Sequence, residues 1–271
     1  MCLMKKYILG ASFAALSLSC TETEEPLQFS EGKTSLSFDA KFGSADFELN
    51  KVYTPTGGLV GFQFQRLRYW VSNVSLINED GTEYLIPESY YLIEETNEIP
   101  VQDGSFNKVY PANKRETVEI GNIPAGDYKG VKFHIGVEPK YNDNLTLQTG
   151  ELNPLNGMAK DNWMWFTSYI FTSISGSMNQ INGSGDPKNF FWETGTNTLY
   201  GSRSIAFDQP ITIHSGTNSQ ILLVLDMQQV MDIEDPWSNN QIGATQPTLM
   251  AQLKDNFLNA FQLGSAVSSR R

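Results

Sequence analysis

A chain of 271 residues with 40% hydrophobic and 12% aromatic side chains can bury a full core, which excludes wholesale disorder. Thirty Asp and Glu against 19 Lys and Arg give a net charge of −11 with no basic stripe to offset it, which argues against nucleic acid as a partner. The two cysteines, Cys2 and Cys20, both fall in the first 20 residues, so the remainder holds neither a disulfide nor a cysteine-based zinc site.

Residues 1–19 read as a signal peptide. Lys5 and Lys6 form its positive start, and the apolar run over 7–18 is too short to span a bilayer. Ser17-Leu18-Ser19-Cys20 then resembles a bacterial lipobox, with a small residue before the cysteine and Ser17 where an aliphatic residue is commoner. The alternative is an ordinary signal peptide or an anchoring segment. On the lipobox reading Cys20 is lipidated, and at about 0.8 kcal/mol per buried CH₂ its acyl chains attach the protein to a membrane without spanning it. Residues 20–34 form an acidic tether. Its Thr21-Glu22-Thr23-Glu24-Glu25-Pro26 disfavours packing and resembles the export tag of Bacteroidetes surface lipoproteins. The expected location is the outer membrane, facing the periplasm or displayed on the cell surface.

Residues 35–271 are expected to form one domain. Leu36, Phe38, Ala40 and Phe42 face one way by period two. Residues 62–76 make a long strand pattern with room for a bulge, and the Asn78-Glu79-Asp80-Gly81 turn follows. Strands restart at residues 84–86 and 90–93. Residues 118–120 and 130–137 are expected to pair across the Pro124-Ala125-Gly126 turn. Residues 205–213 and 220–225 read as a late hairpin around Ser215-Gly216. Residues 179–188 are a loop tip rich in Gly and Asn. Leu249, Leu253, Phe257 and Phe261 fall at spacings of four, predicting an amphipathic helix over 247–263 with Pro247 near its start and Gly264 after its end. Many short strands with Gly and Pro turns, and no alternating helices, predict an all-β fold: an antiparallel β-sandwich with Greek-key-like topology and a C-terminal helix.

No nucleophile elbow, phosphate loop, zinc-protease motif or EF-hand loop is present, so no enzyme is expected. Glu94-Glu95 and the Asp232/Glu234/Asp235 group read as solvated turn residues. Of the two histidines, His134 alternates with Val131, Phe133, Ile135 and Val137 and so points away from the core, and His214 turns outward with Thr212. If their strands share a sheet, the imidazoles could converge, and imidazole suits copper. The alternative is two unrelated surface histidines. Met158 and Met164 flank an aromatic cluster, where thioethers either fill gaps or favour Cu(I).

Several blocks in order resemble the MbnP-like family of secreted copper-binding proteins. They are Leu36-Ser37-Phe38-Asp39, the stretch 67–76 (LRYWVSNVSL) followed by Asp80-Gly81, Ile123-Pro124-Ala125-Gly126-Asp127-Tyr128, and Leu152-Asn153-Pro154-Leu155-Asn156-Gly157-Met158. Trp163-Met164-Trp165, Tyr169-Ile170-Phe171 and Asp255-Asn256-Phe257 complete them. The resemblance implies a copper cofactor held by histidines, here His134 and His214, for capture or transfer at the envelope without turnover, with an envelope protein as a partner. Lys132 stands where some members carry the Trp of a W-x-H pattern, and Ala40 where many carry the His of F-D-H. The alternative is a metal-free surface lipoprotein that recognises a partner or small ligand through exposed Trp163, Trp165 and Trp192.

Overall fold

The computed structural model describes residues 30–103, 106–163, 166–183 and 185–270. The signal peptide, Cys20, most of the tether, Met164 and Trp165 lie outside these residues, and only the backbone of Trp163 is described. Among the described residues ten strands have seven residues or more. They are β1 (Gly32–Phe42), β2 (Val60–Asn78), β3 (Tyr90–Thr96), β4 (Thr117–Ile123), β5 (Gly126–Ile135), β6 (Phe166–Gln180), β7 (Lys188–Gly195), β8 (Gly201–Ile213), β9 (Thr217–Asp226) and β10 (Phe261–Arg270). Among the described residues a single long helix, α1 (Pro247–Asn259), precedes β10.

The strands form an all-β sandwich. One sheet has the order β4-β1-β9-β10, the other β8-β5-β2-β6-β7, and short strands extend both. Alternation builds the core between them. Leu36, Phe38, Ala40 and Phe42 of β1 are buried, as are Val131, Phe133 and Ile135 of β5 and Ile221, Leu223 and Leu225 of β9. The Phe38 ring stands edge-on to Phe133 at 5.6 Å and to Tyr69 at 6.4 Å, so aromatic edges bridge the two layers.

Strand β2 organises the larger sheet. Tyr69 pairs with both Ile93 and Thr172, and Ser72 with both Tyr90 and His134. A residue has one partner per edge, so β3 lies along one edge of β2 while β6 and then β5 share the other. The ladder shifts register near Phe64 and again near Asn73, where φ is +46°, which confirms the bulged long strand.

Two expected hairpins are crossings between sheets instead. β4 pairs with β1 in the smaller sheet, whereas β5 pairs with β2 and β8 in the larger. Likewise β8 belongs to the larger sheet and β9 to the smaller. The first crossing is fixed by the Tyr128 hydroxyl, which donates to the Pro124 carbonyl at 2.8 Å, a tyrosine corner. The second difference is a parallel pair: β9 runs alongside β1 from Thr34 opposite Ser219 to Lys41 opposite Asp226.

The C-terminal helix is shorter than its stripe. Leu253 and Phe257 are fully buried, but α1 stops at Asn259 and Phe261 opens β10 opposite Leu225. Gly264, expected to follow the helix, sits instead at the β10 register shift, where a Cβ would lie 3.0 Å from Leu222.

Candidate functional site

His134 faces outward from β5, as its alternation predicts, but it is not bare. Its ring stacks on Tyr200 at 4.7 Å with 14° between planes. The Tyr200 hydroxyl lies 3.1 Å from Ser72 Oγ and accepts from Asn73 Nδ2 at 2.8 Å, and Ser72 Oγ lies 2.7 Å from the Gly136 carbonyl it donates to. Gly136 has φ +107°, and a Cβ there would lie 2.4 Å from the Phe171 ring, so the chain needs glycine where it leaves β5. Burial lowers the His134 pKa, opposed by a hydrogen bond with the Asn73 backbone. Nδ1 of His134 is buried and has no partner among the described residues.

His214 belongs to a different place. It follows β8 in the tight turn to β9, where its Nδ1 accepts from Gly216 N at 2.9 Å and its backbone N–H donates to Thr217 Oγ1 at 3.0 Å. Gly32 packs against its backbone so closely that a Cβ would lie 2.6 Å away. The β5–β8 register sets Gly126 opposite Ile213 and His134 opposite Ser202. At about 3.3 Å per residue, the eight residues of strand from His134 to Gly126 put roughly 26 Å of backbone between His134 and the position opposite Ile213, next to His214. The expected convergence on one face therefore fails. The strands do share a sheet, but the histidines stand at opposite ends of it. No group of three or more His, Cys, Asp or Glu able to hold a metal occurs among the described residues.

The exposed aromatic face is corrected at Trp192. Its ring is fully buried, edge-on to Phe62 at 5.9 Å and Phe190 at 5.6 Å, and its Nε1 donates to the Asn239 carbonyl at 2.8 Å. Trp163 ends a short strand, Ala159–Trp163, laid on the start of β6. Met158 is fully buried, and Met227 and Met231 are buried too, as gap-fillers would be.

The sequence blocks prove to brace the outer side of β2. Asn153 caps the one-turn helix Pro154–Asn156 by accepting from Leu155 N at 2.9 Å, and Gly157 follows at φ +79°. The Asn156 carbonyl accepts from Arg68 Nη2 at 2.8 Å, and Arg68 Nε donates to Glu94 Oε2 at 2.6 Å. Glu94 also accepts from the Tyr110 hydroxyl at 2.6 Å and Asn113 Nδ2 at 2.7 Å. Glu94 is thus not a solvated turn residue, since both members of the ion pair are buried. A charged pair inside an alternating strand leaves no mark in sequence beyond an Arg at a core-bracketed position.

Sequence reasoning also missed a groove of about 900 Å³ formed by segments 55–60, 180–183 and 228–237. It lies at the C-terminal end of β1, where Gly43 N donates to Asp226 Oδ1 at 3.1 Å. The opposite end of β1 adjoins the His214 turn, where Ser215 N donates to the Ser30 carbonyl at 3.0 Å.

Fold and groove together define a two-layer all-β sandwich protein with an open recess at one end. The chain belongs to the MbnP family, whose sequence model matches residues 31–251. Among solved structures, MbnP from Methylosinus trichosporium is similar at 16% identity and a TM-score of 0.44, over 76% of this chain and 79% of that one. No curated protein matches the chain.

Proposed function

We propose that this MbnP-family protein is a lipoprotein of the cell envelope that binds its ligand without turnover and without a shared two-histidine copper site. The β5–β8 register carries the reading, because it sets His134 and His214 at opposite ends of the sheet. His214 Nδ1 is also engaged by its own turn. Anchoring is supported by the lipobox-like Ser17-Leu18-Ser19-Cys20.

One observation favours a second reading, copper capture or transfer at a single histidine. Burial lowers the His134 pKa and so favours the neutral imidazole, which is the ligating form. Titration with Cu(I) and Cu(II) separates the two readings. The expected result is equal, weak binding by the wild type, His134→Ala, His214→Ala and the double variant. One tight equivalent lost in His134→Ala would establish the copper reading instead. Cys20→Ser is expected to abolish incorporation of labelled palmitate and release the protein from membranes, and continued labelling would refute the anchor.

A further inference from the structure

The lining of the end groove narrows what can occupy it. Gln180, Asn182, Gln228 and Gln229 bring amides to the lining, which both donate and accept, and Asp232 and Asp235 bring carboxylates, which only accept. Gln229 Nε2 already donates to Asp226 Oδ2 at 3.3 Å, and Asp235 Oδ1 accepts from Ser238 N at 3.2 Å. No Lys, Arg or His lines the groove among the described residues. A phosphate, sulfate or carboxylate ligand would meet two like charges, and the neighbouring cation, Lys188, is already held on Trp237. Beside these polar groups lie Leu59, Met231, Ile233 and the Trp237 ring. Leu59 is 70% exposed at the lip.

The carboxylates would attract a cation, but the Asp235 pKa, lowered first by hydrogen bonds from Ser238, is lowered further by nearby Lys188, which so offsets part of that charge. Lys188 Nζ already stands 4.6 Å over the Trp237 ring and donates to the Trp237 carbonyl at 3.3 Å, so the cation position on that ring is filled. A wholly apolar ligand would strip water from the amides and carboxylates without replacing its hydrogen bonds. The fitting ligand has many donors for the carboxylates, donors and acceptors for the amides, no charge, and an apolar face for Leu59 at the lip. Sugar rings carry hydroxyls around the rim and C–H groups on the faces.

We infer that the groove formed by segments 55–60, 180–183 and 228–237 binds a neutral oligosaccharide. The inference rests on the reading given above, ligand binding without turnover, and supplies its ligand class. Gln180, Asn182, Gln228, Gln229 and Asp232 bond the hydroxyls, and the exposed Leu59 at the lip meets the C–H groups of a ring. The open shape suits a stretch of chain more than a single enclosed sugar.

The test is affinity electrophoresis of the full-length protein in mild detergent. Separate gels carry dextran, soluble starch, a β-1,3-glucan or galactomannan, with polygalacturonate as the anionic and chitosan as the cationic control. At least one neutral polysaccharide is expected to retard the wild type. Gln229→Ala and Asp232→Ala, both at exposed positions, are expected to weaken that retardation tenfold or more with unchanged circular dichroism, and His134→Ala to leave it intact. Retardation by neither dextran, starch, β-glucan nor galactomannan overturns the inference, as does retardation by the charged polymers alone. Equal retardation of the groove variants places the sugar site elsewhere and overturns this groove while leaving a binding protein. A tight, His134-dependent copper equivalent would instead remove the metal-free reading without bearing on the groove.

Discussion

Arg68 and Glu94 show what a single residue does here. Their side chains are 0% and 2% exposed and 2.6 Å apart, with the Tyr110 ring 4.4 Å from the guanidinium. Glu94→Gln removes the countercharge and leaves a buried cation, which typically costs about 3–5 kcal/mol. Urea unfolding is expected to show a loss of that size. The double change Arg68→Met/Glu94→Leu should recover much of it, because no lone charge remains. His134 gives a pH signature. Its pKa in the folded chain lies below the ordinary 6.5, so the unfolded chain takes up the proton first as pH falls. The contribution is fully present above pH 6.5 and is lost progressively below it. His134→Phe, which preserves a stack on Tyr200, should flatten this part of the stability–pH curve, and a curve identical to wild type would count against the buried neutral imidazole. His134 was legible as outward-facing. Its cover was not, because Tyr200 lies on a distant segment. Glu94, next to Glu95 and close to Asn97, reads as solvent-exposed in sequence for want of any local sign of its partner.

Strands were legible as elements, but their sheets were not. Period-two alternation says that one side of a strand is buried, and both sheets of a sandwich meet that condition equally. The Pro124-Ala125 and Ser215-Gly216 turns are short enough for hairpins, yet both carry the chain across the core. The tyrosine corner holds the first crossing. Tyr128→Phe keeps the ring and removes one hydrogen bond, so a loss of about 0.5–1.5 kcal/mol with an unchanged fold is expected by thermal unfolding. The end of α1 was misplaced for a related reason. Phe257 and Phe261 fit a helical spacing of four, while Phe261 and Leu263 equally fit the start of an alternating strand. Phe261 lies 5.1 Å from Phe133 and 5.8 Å from Phe257, tying strand, helix and opposite sheet. Phe261→Ala is expected to cost about 3–5 kcal/mol, far more than truncation of exposed Val267 in the same strand.

At the scale of the whole molecule, family and layer architecture were visible in the ordered sequence blocks, whereas the groove was not. Its lining comes from three segments that meet only after the sandwich closes, and none carries a motif. The parallel pairing of β1 with β9 has a consequence for how the protein comes into being. Ser219 Oγ donates to the Lys33 carbonyl across 186 positions of sequence, and β1 sits inside its sheet with β9 on one flank. Closing so long a loop is slow, and no local contact can stand in for it. A chain emerging N-terminus first from a ribosome therefore carries β1 with one edge bare until most of it has appeared. Completion of this sheet is then late: a nascent chain stalled before β9 remains open to proteases and to chaperones that hold unpaired strands.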